Sequence, residues 1–261
     1  MKQIDRSICA VVPAAGRGSR LGLNQPKILA PLGYGRSILS VLCRKLLVVA
    51  DHVNLIVSPD GYDPISEVVE REGFDDQVTL SIQPEPSGMG DAIFRGYPVW
   101  SRARSALIVW GDQVFVSLAT LRRACALHAG DDRTVVIPVV AMSQPYVEYI
   151  FDAERLIAVK QSREGDSCSP GGYSDIGTFV LSVADLHERW ESYRRSPEVG
   201  GATGEINFLP FLPYLSASRW DVRRFVIDDE REARGINTAQ DLAFFQSIMS
   251  ESNSLEGLGS R

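Results

Sequence analysis

Residues 9–27 read CAVVPAAGRGSRLGLNQPK. The stretch begins inside an apolar run, 8–12, whose β-branched and aliphatic residues suit a buried strand. Small residues then lead into Gly16, Arg17, Gly18, Ser19 and Arg20, with Lys27 seven residues further on. Glycines let the backbone bend so that several N–H groups converge on one anion, and two cations can then neutralise its charge. A strand that ends this way opens an α/β fold, and the loop suits a polyphosphate such as that of a nucleoside triphosphate. The glycines alone are a weak sign, because a tight strand-to-helix turn uses them too. Arg20 and Lys27 carry more weight. The fork of Arg20 can hold β- and γ-phosphate oxygens, and the ammonium of Lys27 can reach the α-phosphate or an incoming phosphate.

Outward from this loop, short apolar runs alternate with helical patterns. Strands are expected at 53–57, 78–82 and 106–110, and helices at 38–49, 65–72, 90–102 and 118–128. The pair Asp63-Pro64 reads as an N-cap followed by proline at the first helical position. Such alternation implies parallel crossovers and a Rossmann-like, doubly wound sheet, with the ligand beyond the carboxyl ends of the strands. The second half changes style. A strand at 134–140, a hairpin of 147–151 with 156–159, a strand at 176–181 and helices at 204–215 and 238–249 are expected. The segments 162–172 and 196–203 read as Ser/Gly-rich loops, and 253–261 as a flexible polar tail. No internal repeat is present. The expected organisation is one domain over 1–252. About 1–133 forms a nucleotide-binding half, and 134–252 an acceptor-binding half with a small lobe.

Three further motifs could carry chemistry. QPEPSGMGDA (83–92) follows a strand end and enters a helix. Gln83 offers donors and acceptors for a base edge, and Gly88 allows a flat ring to approach the backbone. Trp110-Gly111-Asp112 ends an apolar strand, placing a carboxylate where a hard cation could sit among phosphates. Asn237, in Gly235-Ile236-Asn237-Thr238, could supply a second oxygen. Each has a plainer reading: a capped Pro/Ser/Gly loop, an Asp capping a helix, and Asn237 or Thr238 starting the last helix. His52, His128 and His187 read as structural.

Composition narrows the class. The chain has 261 residues, 44% of them hydrophobic, and a net charge of -6, so a large core is feasible and a basic nucleic-acid-binding face is not expected. Cys9, Cys43, Cys125 and Cys168 are scattered without metal-site spacing, as in a reduced, cytoplasmic protein. Neither a signal-peptide core nor a membrane span is legible, so no membrane partner is expected; self-association is left open.

The set PAAGRGSRL…PK, QPEPSGMGDA, WGD, YSDIGTFV, GEINFLPFL and GINTAQDL, in that order over about 8–245, resembles the nucleotidyltransferases that make nucleotide sugars. The likeness is strongest to the uridylyltransferase domain of bacterial N-acetylglucosamine-1-phosphate uridylyltransferase. The resemblance implies a mixed α/β sheet of the nucleotide-diphospho-sugar transferase type. It implies an Mg²⁺-dependent enzyme that moves a nucleotidyl group from an NTP, UTP above others, to a sugar 1-phosphate or related phosphorylated acceptor. By the same resemblance Ala14, Ala15, Gly16, Gly18, Ser19, Gln83, Gly88 and Met89 meet the nucleotide, and Arg20, Lys27 and Asp112 act at the reacting phosphates. Asp112 and Asn237 hold the metal, while Lys160, Asp175 and Glu205 face the acceptor. Met89 stands where Thr is usual, Lys160 where a Glu contacts the sugar, and Asp175 where Asn is usual. Lys160 implies an acceptor with a carboxylate or second phosphate. These departures keep two alternatives: a cytidylyltransferase acting on a phosphorylated alcohol or phosphonate, and a non-catalytic nucleotide-binding regulatory homologue.

Overall fold

A computed structural model describes residues 8–16, 18, 21–129, 131–195 and 204–258, with side chains through residue 250. The chain runs through β1 (Ile8–Pro13), a small hairpin of β2 (Pro31–Gly33) and β3 (Arg36–Ser37), α1 (Ile38–Leu46), β4 (His52–Val57), α2 (Pro59–Arg71) and β5 (Val78–Ile82). It continues through α3 (Met89–Arg95), α4 (Tyr97–Trp100), β6 (Ser105–Val109), α5 (Leu118–His128), β7 (Thr134–Ala141), β8 (Val147–Asp152) and β9 (Arg155–Gln161). It ends with β10 (Tyr173–Asp175), β11 (Thr178–Ser182), α6 (Leu186–Tyr193), α7 (Phe211–Ala217), β12 (Asp221–Val226) and α8 (Ala239–Leu258).

The main sheet is the expected mixed, doubly wound one. β5, β4, β1 and β6 lie side by side and parallel; β11 joins β6 antiparallel and β7 joins β11 antiparallel. β10 and β12 both pair with Val139 of β7, and β11 and β12 both pair with Val135, so β10 and β11 share one edge of β7 and β12 takes the other. Chain order therefore runs outward from β1 to β4 on one side and returns to β6 on the other. That reversal opens a crevice at the carboxyl ends of β1 and β6.

Alternation within the strands builds two cores. Ala10 and Val12 of β1 face the layer of α1, α2, α5 and α8, whereas Cys9 and Val11 face α3, α4, α6 and α7. α1 starts in a Ser37/Ser40 capping box and buries Ile38, Leu39, Leu42 and Leu46. In the second layer Phe94 stacks on Trp190 at 4.3 Å, and Phe211 meets Trp190 edge-on at 5.2 Å. β8 and β9 form a separate two-stranded antiparallel ribbon.

Several boundaries differ from expectation. α2 starts at Ser58-Pro59, not Asp63-Pro64: the same cap-then-proline cue stands five residues earlier, and Pro64 lies inside the helix. The helix expected at 90–102 breaks at Gly96, which is pressed against Asn54. At 204–215 only α7 forms. The Ile206 N–H donates to the Ser87 carbonyl (2.8 Å) and the Ile206 carbonyl accepts from Gly90 N–H (2.9 Å), so that backbone is committed to another element. α8 continues through Leu258, into the segment read as a tail. The loop expected at 196–203 lies outside the described residues.

Candidate active site

Three loops meet in the crevice. The first leaves β1: Gly18 adopts φ +66°, a Cβ there would stand 3.1 Å from Cα and Cβ of Lys27, and Lys27 N–H donates to the Gly16 carbonyl (3.3 Å). This fold-back delivers Lys27 to the crevice at the start of a short 3-10 turn, Lys27–Leu29. The second loop leaves β6. At Gly111 a Cβ would lie 2.7 Å from the Pro13 carbonyl, so only glycine lets the ends of β1 and β6 approach this closely. The third carries Gly235 and Asn237. Ile236 N–H donates to the Asp112 carbonyl (3.1 Å), and a Cβ at Gly235 would stand 3.0–3.1 Å from the Asp112 carboxylate and the Asn237 amide.

At their junction the Lys27 ammonium donates to Asp112 Oδ2 at 2.6 Å and to Asn237 Oδ1 at 2.8 Å. Lys27 and Asp112 are each about one-fifth exposed (19% and 18%), so solvent screens the pair only in part. Asn237 is free for this contact because Thr238 caps α8. Its hydroxyl accepts from Asp241 N–H (3.2 Å), while Asp241 accepts from the N–H groups of Asn237 (3.1 Å) and Thr238 (2.9 Å) and from Arg234 (2.9 Å). Burial opposes the Asp241 charge, but bonds from Thr238 and Arg234 prevail and hold its carboxyl below the ordinary range.

A cavity of about 120 Å³ joins Ala14, Gly16, Lys27, Trp110 and Asp112 to Met89 on the far side. Phosphate-side and base-side candidates thus share one space. Behind Met89, Gln83 is buried and its amide donates to the Gly88 carbonyl (3.0 Å) and to Asp91 (3.1 Å). Ser87 Oγ also donates to Asp91 (2.7 Å). Burial opposes the Asp91 charge, yet the bonds from Ser87, Gln83 and Arg95 lower its pKa. Gly88 (φ +118°) lies against the Ile206 backbone, where a Cβ would be 2.7 Å from its N and O. A larger cavity, about 270 Å³, lies against the segment just before Lys27, near Gln25, Pro26 and Asp60; neither Lys27 nor Asp112 lines it.

The acceptor candidates do not line the shared cavity. Asp175 accepts from Gly177 N–H (2.7 Å) and the Tyr149 hydroxyl (3.1 Å); burial nonetheless pushes its carboxyl up. Lys160 pairs with the buried Glu148 directly across the β8–β9 ribbon, at 3.6 Å. Glu205 lies 3.6 Å from Arg163, whose guanidinium also bonds Asn207. Ala15 and Gly18 sit in the loop beside the cavity; Ser19 and Arg20 lie outside the described residues. Gly111, Gly235, Ile206, Asp91 and Arg163 were not read as site residues. Four of them had a signal, since Gly111, Gly235, Asp91 and Ile206 lie inside motifs quoted for their neighbours; Arg163 had none. The three histidines are remote: His52 bonds Thr79, His128 bonds Ser105 and Ser182, and His187 stacks on Tyr97.

Residues 10–171 match the MobA-like NTP transferase domain. The chain belongs to that family. Among curated relatives, this NTP transferase domain is 26% identical over 244 residues to the bifunctional protein GlmU of Acidithiobacillus ferrooxidans, covering 91% of this chain and 51% of that protein. It is 25% identical over 239 residues to GlmU of Kineococcus radiotolerans, covering 89% and 47%. The chain thus spans about half the length of the curated relatives it matches. A solved structure from Bacillus anthracis, assigned as a glucose-1-phosphate thymidylyltransferase, shares the fold of this NTP transferase domain. Its TM-score is 0.70 at 13% identity, covering 92% of this chain and 94% of that one. No helix among the described residues is long and apolar enough to cross a membrane.

Proposed function

We propose that this domain transfers a nucleoside monophosphate from an NTP, UTP by preference, to the phosphate of a sugar 1-phosphate or related phosphorylated acceptor, releasing pyrophosphate. The observation that carries this is the convergence of Lys27, Asp112 and Asn237 beside the glycine loop, in a cavity that also reaches the base-side loop.

The donor set fits Mg²⁺. Asp112 Oδ2 and Asn237 Oδ1 are hard oxygens that already converge on one cation, the Lys27 ammonium. Gly235 leaves the carboxylate uncrowded. Two protein oxygens suffice where phosphates and water complete the shell. Asp112 and Asn237 would hold the ion, and it would supply neutralisation of the charge on the reacting phosphates.

In the reaction a phosphate oxygen of the acceptor attacks the α-phosphorus, and the bond from that phosphorus to the bridging oxygen of the β-phosphate breaks. A phosphate monoester is already ionised near neutral pH, so no general base is needed, and the remote placement of the histidines accords with that. The chain's task is to position two anions and cancel their repulsion. Lys27 holds the reacting phosphates, the N–H groups near Gly16 and Gly18 cradle the remaining ones, and Arg20 stabilises the departing pyrophosphate. Gln83, committed to Gly88 and Asp91, sets the shape of the base-side loop. Asp175, bonded by Tyr149, and Glu205, paired with Arg163, are the residues assigned to the acceptor, together with Lys160.

Met89 in the cavity wall presents no hydrogen-bonding side chain, which supports a second reading: a cytidylyltransferase acting on a phosphorylated alcohol or phosphonate. Retention of Lys27, Asp112 and Asn237 argues against a non-catalytic regulatory role. All four cysteines carry reduced thiols, in keeping with a reducing, cytoplasmic setting. Melting curves with UTP, CTP, ATP, GTP and dTTP plus Mg²⁺, followed by pyrophosphate release with sugar 1-phosphates, test the proposal. UTP should give the largest shift. Stabilisation by CTP alone selects the second reading, and stabilisation without pyrophosphate release from any acceptor contradicts catalysis.

A further inference from the structure

The cation seated on the proposed metal ligands belongs to the protein itself. Lys27 Nζ lies within hydrogen-bond distance of both Asp112 Oδ2 (2.6 Å) and Asn237 Oδ1 (2.8 Å). A Mg²⁺ bonded to both oxygens at about 2.0–2.1 Å would need the same space, and its charge would repel the ammonium. We infer that Lys27 is the resident counter-ion of the Asp112–Asn237 pair: it keeps free metal out, and it leaves for the triphosphate as metal and nucleotide enter together. This rests on the metal assignment proposed above and adds an order of events to it.

Three features carry the inference. The two oxygens belong to a fixed frame. Asp112 is tied through its carbonyl to Ile236 N–H, and the backbone of Asn237 is held by the Thr238–Asp241 cap. Their side chains are short, so the oxygens stay close to this anchored backbone when the ammonium departs. The lysine backbone is equally fixed, bonded to Gly16 and packed by Gly18, so motion is left to its four-carbon stem. Finally, Lys27 already lines the cavity shared with Gly16 and Met89, where phosphates would draw it away from the carboxylate. Metal and nucleotide then assist each other's binding, and the coupling is reciprocal.

The test reads Mn²⁺ binding by electron paramagnetic resonance, with no nucleotide present and therefore without turnover. Wild type should bind Mn²⁺ weakly. Lys27→Met should bind it at least about tenfold more tightly. Lys27→Gln, which removes the charge but keeps a hydrogen-bond donor, should do likewise; melting curves establish that each variant is folded. Adding Asp112→Asn to Lys27→Met should abolish the gain. If both Lys27 variants bind Mn²⁺ no more tightly than wild type while Asp112→Asn still weakens it, the counter-ion role is wrong and the metal site stands. If Asp112→Asn changes Mn²⁺ binding in no background, the metal site itself is wrong, and the counter-ion role with it.

Discussion

The Lys27 ammonium and the Asp112 carboxylate, 85 residues apart in the chain, meet at 2.6 Å where the ends of β1 and β6 converge. Everything proposed for this chain depends on that meeting and on the arrival of Asn237 at the same ammonium from 210 residues away.

Gly235 should be the most sensitive small residue near this junction. A methyl group there would press on the Asp112 carboxylate and the Asn237 amide from 3.0–3.1 Å. Gly235→Ala should lower turnover about tenfold or more, the scale expected when a reacting group is displaced by a fraction of an ångström. Melting temperature should change little. Steady-state pyrophosphate release and a melting curve measure both; unchanged turnover would show that the turn does not set the carboxylate.

Gly88 should fail differently. Its backbone is left-handed, and an added Cβ would collide with Ile206 N and O at 2.7 Å. Gly88→Ala should cost about 1–3 kcal/mol in urea unfolding and raise the KM for nucleotide more than it lowers kcat. A loss confined to kcat would separate this loop from base binding.

Lys45 gives a pH prediction. Its ammonium donates to the Val114 and Val116 carbonyls (2.7 Å each), bracing the loop that follows Asp112. Burial lowers its pKa from 10.5 to about 8, against the opposing pull of Glu232. Between those values the unfolded chain keeps a proton that the folded chain has lost, so this group makes stability rise with pH across that window. The stability of wild type relative to Lys45→Met should therefore improve between pH 8 and 10.5. Urea titrations at several pH values measure it; a difference that is flat or falls contradicts the assignment.

The sequence disclosed what depends on local chemistry. The glycine loop, the apolar run into Trp110-Gly111-Asp112 and the alternation of 8–128 are short-range patterns, and the structure places them at the expected strand ends. Features set by distant partners were not legible. Ile206 lies in an apolar stretch with helical spacing, yet its backbone bonds Ser87 and Gly90. β12 was missed because DVRRFV carries Arg223 and Arg224, which suit a sheet edge and hide the period. Asp63-Pro64 was the only cap-then-proline pair read from the sequence, but α2 begins at Ser58-Pro59 and carries Pro64 inside it. Lys160 stood out as a bare cation, but its partner Glu148 faces it across the ribbon. Asn237 and Thr238 were equal candidates for capping α8; Thr238 takes the cap and frees Asn237 for the site.

The central claim is that Asp112, beside Lys27 and Asn237, carries nucleotidyl transfer. Pyrophosphate release by Asp112→Asn, measured against wild type with UTP, Mg²⁺ and the acceptor that supports turnover, tests it most directly. A drop of about 10²-fold or more, with the melting temperature retained within a few degrees, is the predicted result. Turnover within a few-fold of wild type would contradict it.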